Sequence, residues 1–165
     1  IDTGSRNTQD NKKEGAYPFF VRSQQIERID TFTYNKEAVL TAGDGVGTGK
    51  IFHYIKGKFD AHQRVYILSD FKSDVDGRYF YWQFKSRFYD RIMSMTAKSS
   101  VDSVRREMIA DLTLPIPSLT IQKEIVLKLD VAESEIQLLK SRLYKVKKLK
   151  TGMMQKLLTG TTRLI

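Results

Sequence analysis

From Ile125 onward, apolar side chains recur at alternating steps of four and three: Leu129, Ala132, Ile136, Leu139, Leu143, Val146, Met153 and Leu157. Lys150 holds the remaining seam position, between Val146 and Met153. A four-three step kept up this long is a heptad seam, the pattern of a helix wound on a partner helix rather than laid on a domain core. Ser118 or Thr120 can cap the start, just after Pro115 and Pro117, and Gly160 can stop the end. The pattern predicts a helix of roughly 39 residues, about 58 Å long at about 1.5 Å per residue. The expected pairing positions are Ile125, Leu129, Ile136, Leu139, Leu143, Val146, Met153 and Leu157. The alternative is a helix folded back on its own domain.

Ahead of the prolines the grammar differs. Short runs rich in Val, Ile, Phe and Tyr, at 18–22, 38–41, 50–55 and 64–68, are bounded by turn residues and read as strands. Residues 77–93 read as a helix, with Phe80, Phe84 and Phe88 every fourth position and Tyr81, Ile92 and Met95 widening the stripe. That spacing favours core packing over a base-stacking platform for the aromatic run, with Trp82 near the surface. Pro115 and Pro117 make 111–117 extended, and 1–15 reads as loop. The expectation is a mixed α/β (α+β) domain over 1–117, a long coiled-coil helix over 118–160 and a tail over 161–165.

Charge and residue counts narrow the function. The chain of 165 residues carries 28 Lys+Arg against 19 Asp+Glu, a net +9. The stretch from Lys123 onward holds a disproportionate share of that excess. A balance of this sign favours a polyanionic partner. Cysteine is absent, which removes disulfides, thiol catalysis and cysteine-ligated zinc, and two histidines are too few for an all-histidine metal site. No run is apolar for long enough to span a membrane, and no apolar signal core opens the chain. The chain begins at Ile1 rather than Met, so a fragment or a processed chain is expected.

The glycine-rich run Gly43-Asp44-Gly45-Val46-Gly47-Thr48-Gly49-Lys50 fails as a phosphate loop. Asp44 stands where glycine is needed, Ile51 where Ser or Thr would bind magnesium, and a strand-like run follows in place of a helix. A flexible or tightly turning hairpin between 38–41 and 50–55 fits better. No nucleophile elbow, target-amine loop of a methyltransferase or convincing acid pair is present. His62, among Asp60, Gln63 and Arg64, reads as a hydrogen-bonding surface histidine rather than a catalytic base. No enzyme and no cofactor are expected.

Three stretches of the compact part carry a resemblance: Tyr17-Pro18-Phe19-Phe20-Val21-Arg22, Leu40-Thr41-Ala42-Gly43-Asp44-Gly45, and Phe59-Asp60-Ala61-His62-Gln63-Arg64-Val65-Tyr66. Two more frame the helix: Leu114-Pro115-Ile116-Pro117-Ser118-Leu119-Thr120-Ile121-Gln122-Lys123-Glu124-Ile125, and Lys148-Leu149-Lys150-Thr151-Gly152-Met153-Met154-Gln155-Lys156-Leu157-Leu158-Thr159-Gly160. Together they resemble a specificity subunit of a Type I restriction–modification system, over nearly the whole chain. Members of that family carry two recognition domains and two spacer helices. This chain shows one of each and lacks the tryptophan-bearing lead-in, so a half-subunit or fragment is expected.

The resemblance implies a cytoplasmic protein that reads half of a split double-stranded DNA target. It implies docking of adenine methyltransferase subunits, a separate translocase–nuclease (restriction) subunit, and pairing with a second half or a second copy. The polar side chains proposed for base reading are Arg22, Gln24, His62, Gln63 and Arg64, with Lys50, Lys58 and Lys98 on phosphates. Two other classes compete: a coiled-coil adaptor whose basic charge is incidental, and the specificity arm of a Type II methylase–nuclease.

Overall fold

The computed structural model describes residues 1–95 and 103–160. Among the described residues the compact part contains six strands: β1 (Asp2–Thr3), β2 (Tyr17–Phe20), β3 (Glu27–Ile29), β4 (Tyr34–Ala42), β5 (Phe52–Ala61) and β6 (Val65–Ser69). Helix α1 (Gly77–Ser94) and the short α2 (Arg106–Ala110) follow, and then the long α3 (Leu119–Leu158). The chain divides into two compact units, Ile1–Lys123 and Glu124–Ile165.

The strands form one mixed sheet in the order β1-β6-β4-β5-β2-β3. β4 pairs antiparallel with both β5 and β6, so it is the central strand, and Ala38, Val39, Leu40, Thr41 and Ala42 are all buried. A strand covered on both faces needs a continuous apolar run, which is why 38–41 is legible as a strand. β2 runs parallel to β5, with Phe19 opposite Asp60 and Phe20 opposite Ala61. The opening residues, expected as loop, instead supply the edge strand β1, paired with β6 through Asp2–Ile67 and Thr3–Tyr66. Strand β3 and helix α2 were also not anticipated. Elements of two to five residues are too short to show a period.

Side chains on opposite faces of β4 go to different cores. Val39, with Phe52 and Leu68, packs against Tyr81, Phe84, Phe88 and Ile92 of α1 and Met108 and Ile109 of α2. Ala38 and Leu40 join Phe20, Phe59, Ala61, Val65 and Ile67 on the other side. The four-residue spacing of α1 is thus a core stripe: the Phe84 and Phe88 rings stack with centroids 4.4 Å apart, and Phe52 meets Phe84 edge-on at 5.5 Å. Met95 departs from the expectation. It follows the last turn of α1, where the backbone leaves the helix, and is 43% exposed.

The N-terminal segment ties two strand ends together. The Gly4 amide donates to the Val65 carbonyl at 3.1 Å, and the Arg6 amide to the Ala61 carbonyl at 3.1 Å. Fully buried Asp60 accepts from Arg6 Nε and from Thr31 Oγ1, both at 3.1 Å, which locks the segment to β5.

The first turn of α3 belongs to the first compact unit. Gln122 is fully buried: its Oε1 accepts from the Asp76 amide at 2.8 Å, and its Nε2 donates to the carbonyls of Asp74 at 2.7 Å and Pro117 at 2.8 Å. The Tyr79 hydroxyl donates to the Pro115 carbonyl at 2.9 Å. The prolines therefore place an extended segment whose carbonyls are taken up by α1 and by α3 itself. Helix α3 runs for 40 residues, close to the expected length, and Gly160, at φ 70°, lies just past its end as the expected stop. Most of the seam is exposed, including Leu129, Ile136, Leu139, Leu143, Val146, Met153 and Leu157. Among the described residues no helix is long and apolar enough to cross a membrane.

Candidate nucleic-acid interface

Three separate segments bring polar side chains to one place: the β2–β3 connection, the β4–β5 hairpin loop and the β5–β6 turn. The hairpin loop is tightly wound. Gly45 and Gly49 sit at φ 86° and 71°, a region open to glycine at little cost. The amides of Thr48, Lys50 and Ile51 donate back to Gly45 and Gly47 carbonyls. The loop leads into a strand, so no phosphate-binding helix N-terminus exists there, and at its tip Val46 is wholly exposed.

Asp44 in this loop joins the other two segments. Its Oδ1 accepts from Arg22 Nη1 at 2.7 Å, and its Oδ2 lies 3.7 Å from Arg64 Nε. Both arginine side chains reach solvent, at 43% and 65% exposure, while Asp44 is at 26%. In the β5–β6 turn, Gln63 is exposed and its Nε2 donates to Asn7 Oδ1 at 3.0 Å. Gly43, Asp44, Gln63 and Arg64, with Thr3, Tyr66, Ser103 and Val104, line a cleft of about 260 Å³.

His62 is 5% exposed, not the surface histidine expected. Its Nδ1 accepts the Arg64 amide at 3.0 Å, which holds the turn from within. Burial, and then the Arg22 guanidinium, push its pKa below the ordinary imidazole value. Buried His53 is likewise pushed down by burial, although Nε2 donates to the Ser23 carbonyl at 2.8 Å. That bond fixes the β2–β3 connection from which Arg22 and Gln24 extend.

Of the residues singled out from sequence, Arg22, His62, Gln63 and Arg64 come together. Gln24 is exposed, two positions along the chain from Arg22. Lys50 ends the hairpin loop with its ammonium 5.2 Å from the Tyr89 ring centroid. Lys58 lies on β5, its ammonium 4.5 Å from the Phe32 ring. Lys98 lies outside the described residues. Sequence reasoning missed Asp44 as a member of this site. An acid within a glycine-rich run reads as a turn residue, and nothing local shows that Arg22 and Arg64 converge on it. Among the described residues no cluster of His, Cys, Asp or Glu could hold a metal.

Comparison with known proteins bears on this arrangement. The family model for the Type I restriction modification DNA specificity domain matches residues 1–148. The chain belongs to this family. A curated relative, the Type I restriction enzyme EcoDI specificity subunit of Escherichia coli, is 26% identical over 159 residues, which cover 96% of this chain and 34% of the relative. The specificity-domain chain thus spans about a third of that relative's length. Its fold is similar to the Type I restriction–modification S subunit from M. genitalium, with a TM-score of 0.63 at 20% identity, over 94% of this chain and 42% of the other. A second solved chain, from work on complex assembly and conformational transition of the type I system, gives a TM-score of 0.58 at 14% identity over the same shares.

Proposed function

We propose that this specificity-domain chain binds double-stranded DNA, reads one half of a bipartite target, and positions other subunits without a catalytic step of its own. One observation carries the reading: Arg22 from the β2–β3 connection meets Gln63 and Arg64 of the β5–β6 turn at a solvent-facing rim whose turn is hydrogen-bonded from behind by His62. Forked guanidinium and amide groups can pair with two atoms of a base edge in the major groove, and each such pair contributes about 1–3 kcal/mol of discrimination. Gln24 extends this rim, His62 sets the turn that presents Gln63 and Arg64, and Lys50, Lys58 and Lys98 contact phosphates, which position the protein without reading sequence.

The second unit serves assembly. Its heptad seam pairs antiparallel with the helix of a second half-subunit or a second copy, which puts two recognition domains at opposite ends of a spacer. Off the seam, Leu127, Val131, Leu138, Tyr144 and Leu149 are also exposed. That is more apolar surface than a two-helix seam uses, and it supports docking of adenine methyltransferase subunits, with a restriction–translocase subunit joining the assembly. The protein is proposed to act in the cytoplasm, where the DNA is.

Co-expression with a candidate adenine methyltransferase subunit, followed by purification and mapping of methylated sites, tests this reading. Methylation at one defined sequence is expected from the assembly and none from the chain alone with S-adenosylmethionine. Methylation or cleavage by the pure chain would overturn it.

A further inference from the structure

We infer that Asp44 is a positioning residue for base recognition, holding Arg22 and Arg64 as a pair so that their free N–H groups face the DNA. This rests on the proposed reading of the rim as a DNA interface and deepens it. The carboxylate meets one nitrogen of each guanidinium, Nη1 of Arg22 at 2.7 Å and Nε of Arg64 at 3.7 Å. A guanidinium carries five N–H donors in a planar fork, so each arginine keeps donors to spare. Arg22 and Arg64 lie 42 positions apart in sequence. Two like charges brought this close would splay apart without an anion between them. Asp44 itself is held by its strand-end backbone: the Gly43 amide donates to the Arg64 carbonyl at 2.8 Å, and the Val104 amide donates to the Gly43 carbonyl at 2.7 Å.

The geometry gives Asp44 two opposed effects on DNA binding. It aims the forks at a base edge, which favours the correct sequence. It also places a negative charge at the proposed DNA-facing rim, which weakens binding to every sequence alike. An exposed ion pair of this kind contributes little to folding stability. Asp44 therefore serves discrimination rather than stability or affinity.

The test uses the chain assembled with its methyltransferase subunits and two synthetic duplexes, one bearing the mapped methylated site and one with that site scrambled. Binding is measured across a salt series for the parent, Asp44→Asn, Asp44→Ser, Arg22→Ala, Arg64→Ala, and Asp44→Asn in the Arg22→Ala/Arg64→Ala background. Asp44→Asn is expected to bind the scrambled duplex more tightly with a steeper salt dependence, and to lose about tenfold in the ratio between the two duplexes. Its melting temperature should stay close to the parent's. In the double-alanine background the same substitution should no longer change the ratio, an outcome that a merely structural role would not give. An unchanged ratio for Asp44→Asn and Asp44→Ser, with the ratio falling for both arginine variants, would overturn the role of Asp44 and leave the interface standing. An unchanged ratio for the arginine variants as well would overturn the interface itself.

Discussion

At the residue scale, the two histidines show how burial ties the proposed recognition rim to the fold. Both rings are held below the ordinary imidazole value of 6.5, His53 mainly by burial and His62 by burial and the neighbouring guanidinium of Arg22. Each is therefore neutral in the native state at neutral pH. Between the ordinary value and the lowered native one, the unfolded chain binds more protons than the folded chain, so stability falls as pH is lowered through that window. Melting temperatures measured from pH 7 down to pH 5 should decline, and His53→Gln should flatten the decline. Protonation of His62 would also remove the acceptor for the Arg64 amide. The same scale separates readers from anchors. Arg64→Ala should cost about 1–3 kcal/mol in binding to the cognate sequence and relax the methylated consensus. Lys50→Ala should weaken all duplexes alike and lower the salt slope by about one. Loss of consensus in the lysine variant, with none in the arginine variant, would reverse the assignment.

At the scale of elements, the instructive pair is the two helices with apolar spacing. Helix α1 turns Phe84 and Phe88 into the domain core, whereas α3 leaves Leu139 and Leu143 exposed. Their sequences forecast this difference, because a mixed stripe of short range suits a core and an unbroken four-three step suits a partner helix. Leu143→Asp should therefore abolish association in sedimentation while leaving the recognition domain's melting transition in place. The join between elements was not legible. Gln122 looks like an ordinary polar residue of a helix's first turn, yet its side chain hydrogen-bonds to Asp74, Asp76 and Pro117. Gln122→Leu should cost at least about 1–3 kcal/mol, since it leaves a buried amide and two carbonyls without partners. Thermal or urea unfolding of the chain measures this directly, and a neutral result would mean that water takes over those partners.

At the scale of the whole molecule, the proposed function places recognition and assembly on different stretches of chain. The first compact unit ends at Lys123, within the residue span of α3. Replacing residues 16–112 by another recognition domain should then change the half-site that is methylated and leave co-purification with the methyltransferase subunit intact. Methylation mapping and pull-down read the two outcomes separately. Loss of assembly in the exchanged chain would place partner contacts within the recognition domain.

What the sequence determined by itself is whatever depends on local order. The 3.6-residue and heptad periods placed α1 and α3, the prolines placed the extended link before α3, and the apolar run at 38–41 marked the doubly covered strand β4. These signals are local because each residue's neighbours along the chain decide which face it shares. The tertiary structure alone decided the rest: the two-residue strand β1, the closure of the N-terminal segment onto Asp60, the burial of His62 and Gln122, and the meeting of Arg22 with Arg64 across Asp44. Each of these is a contact between residues far apart in sequence, set by how the sheet brings its strand ends together. No period in the chain encodes such a meeting, because a side chain's partner there is chosen by topology and not by spacing.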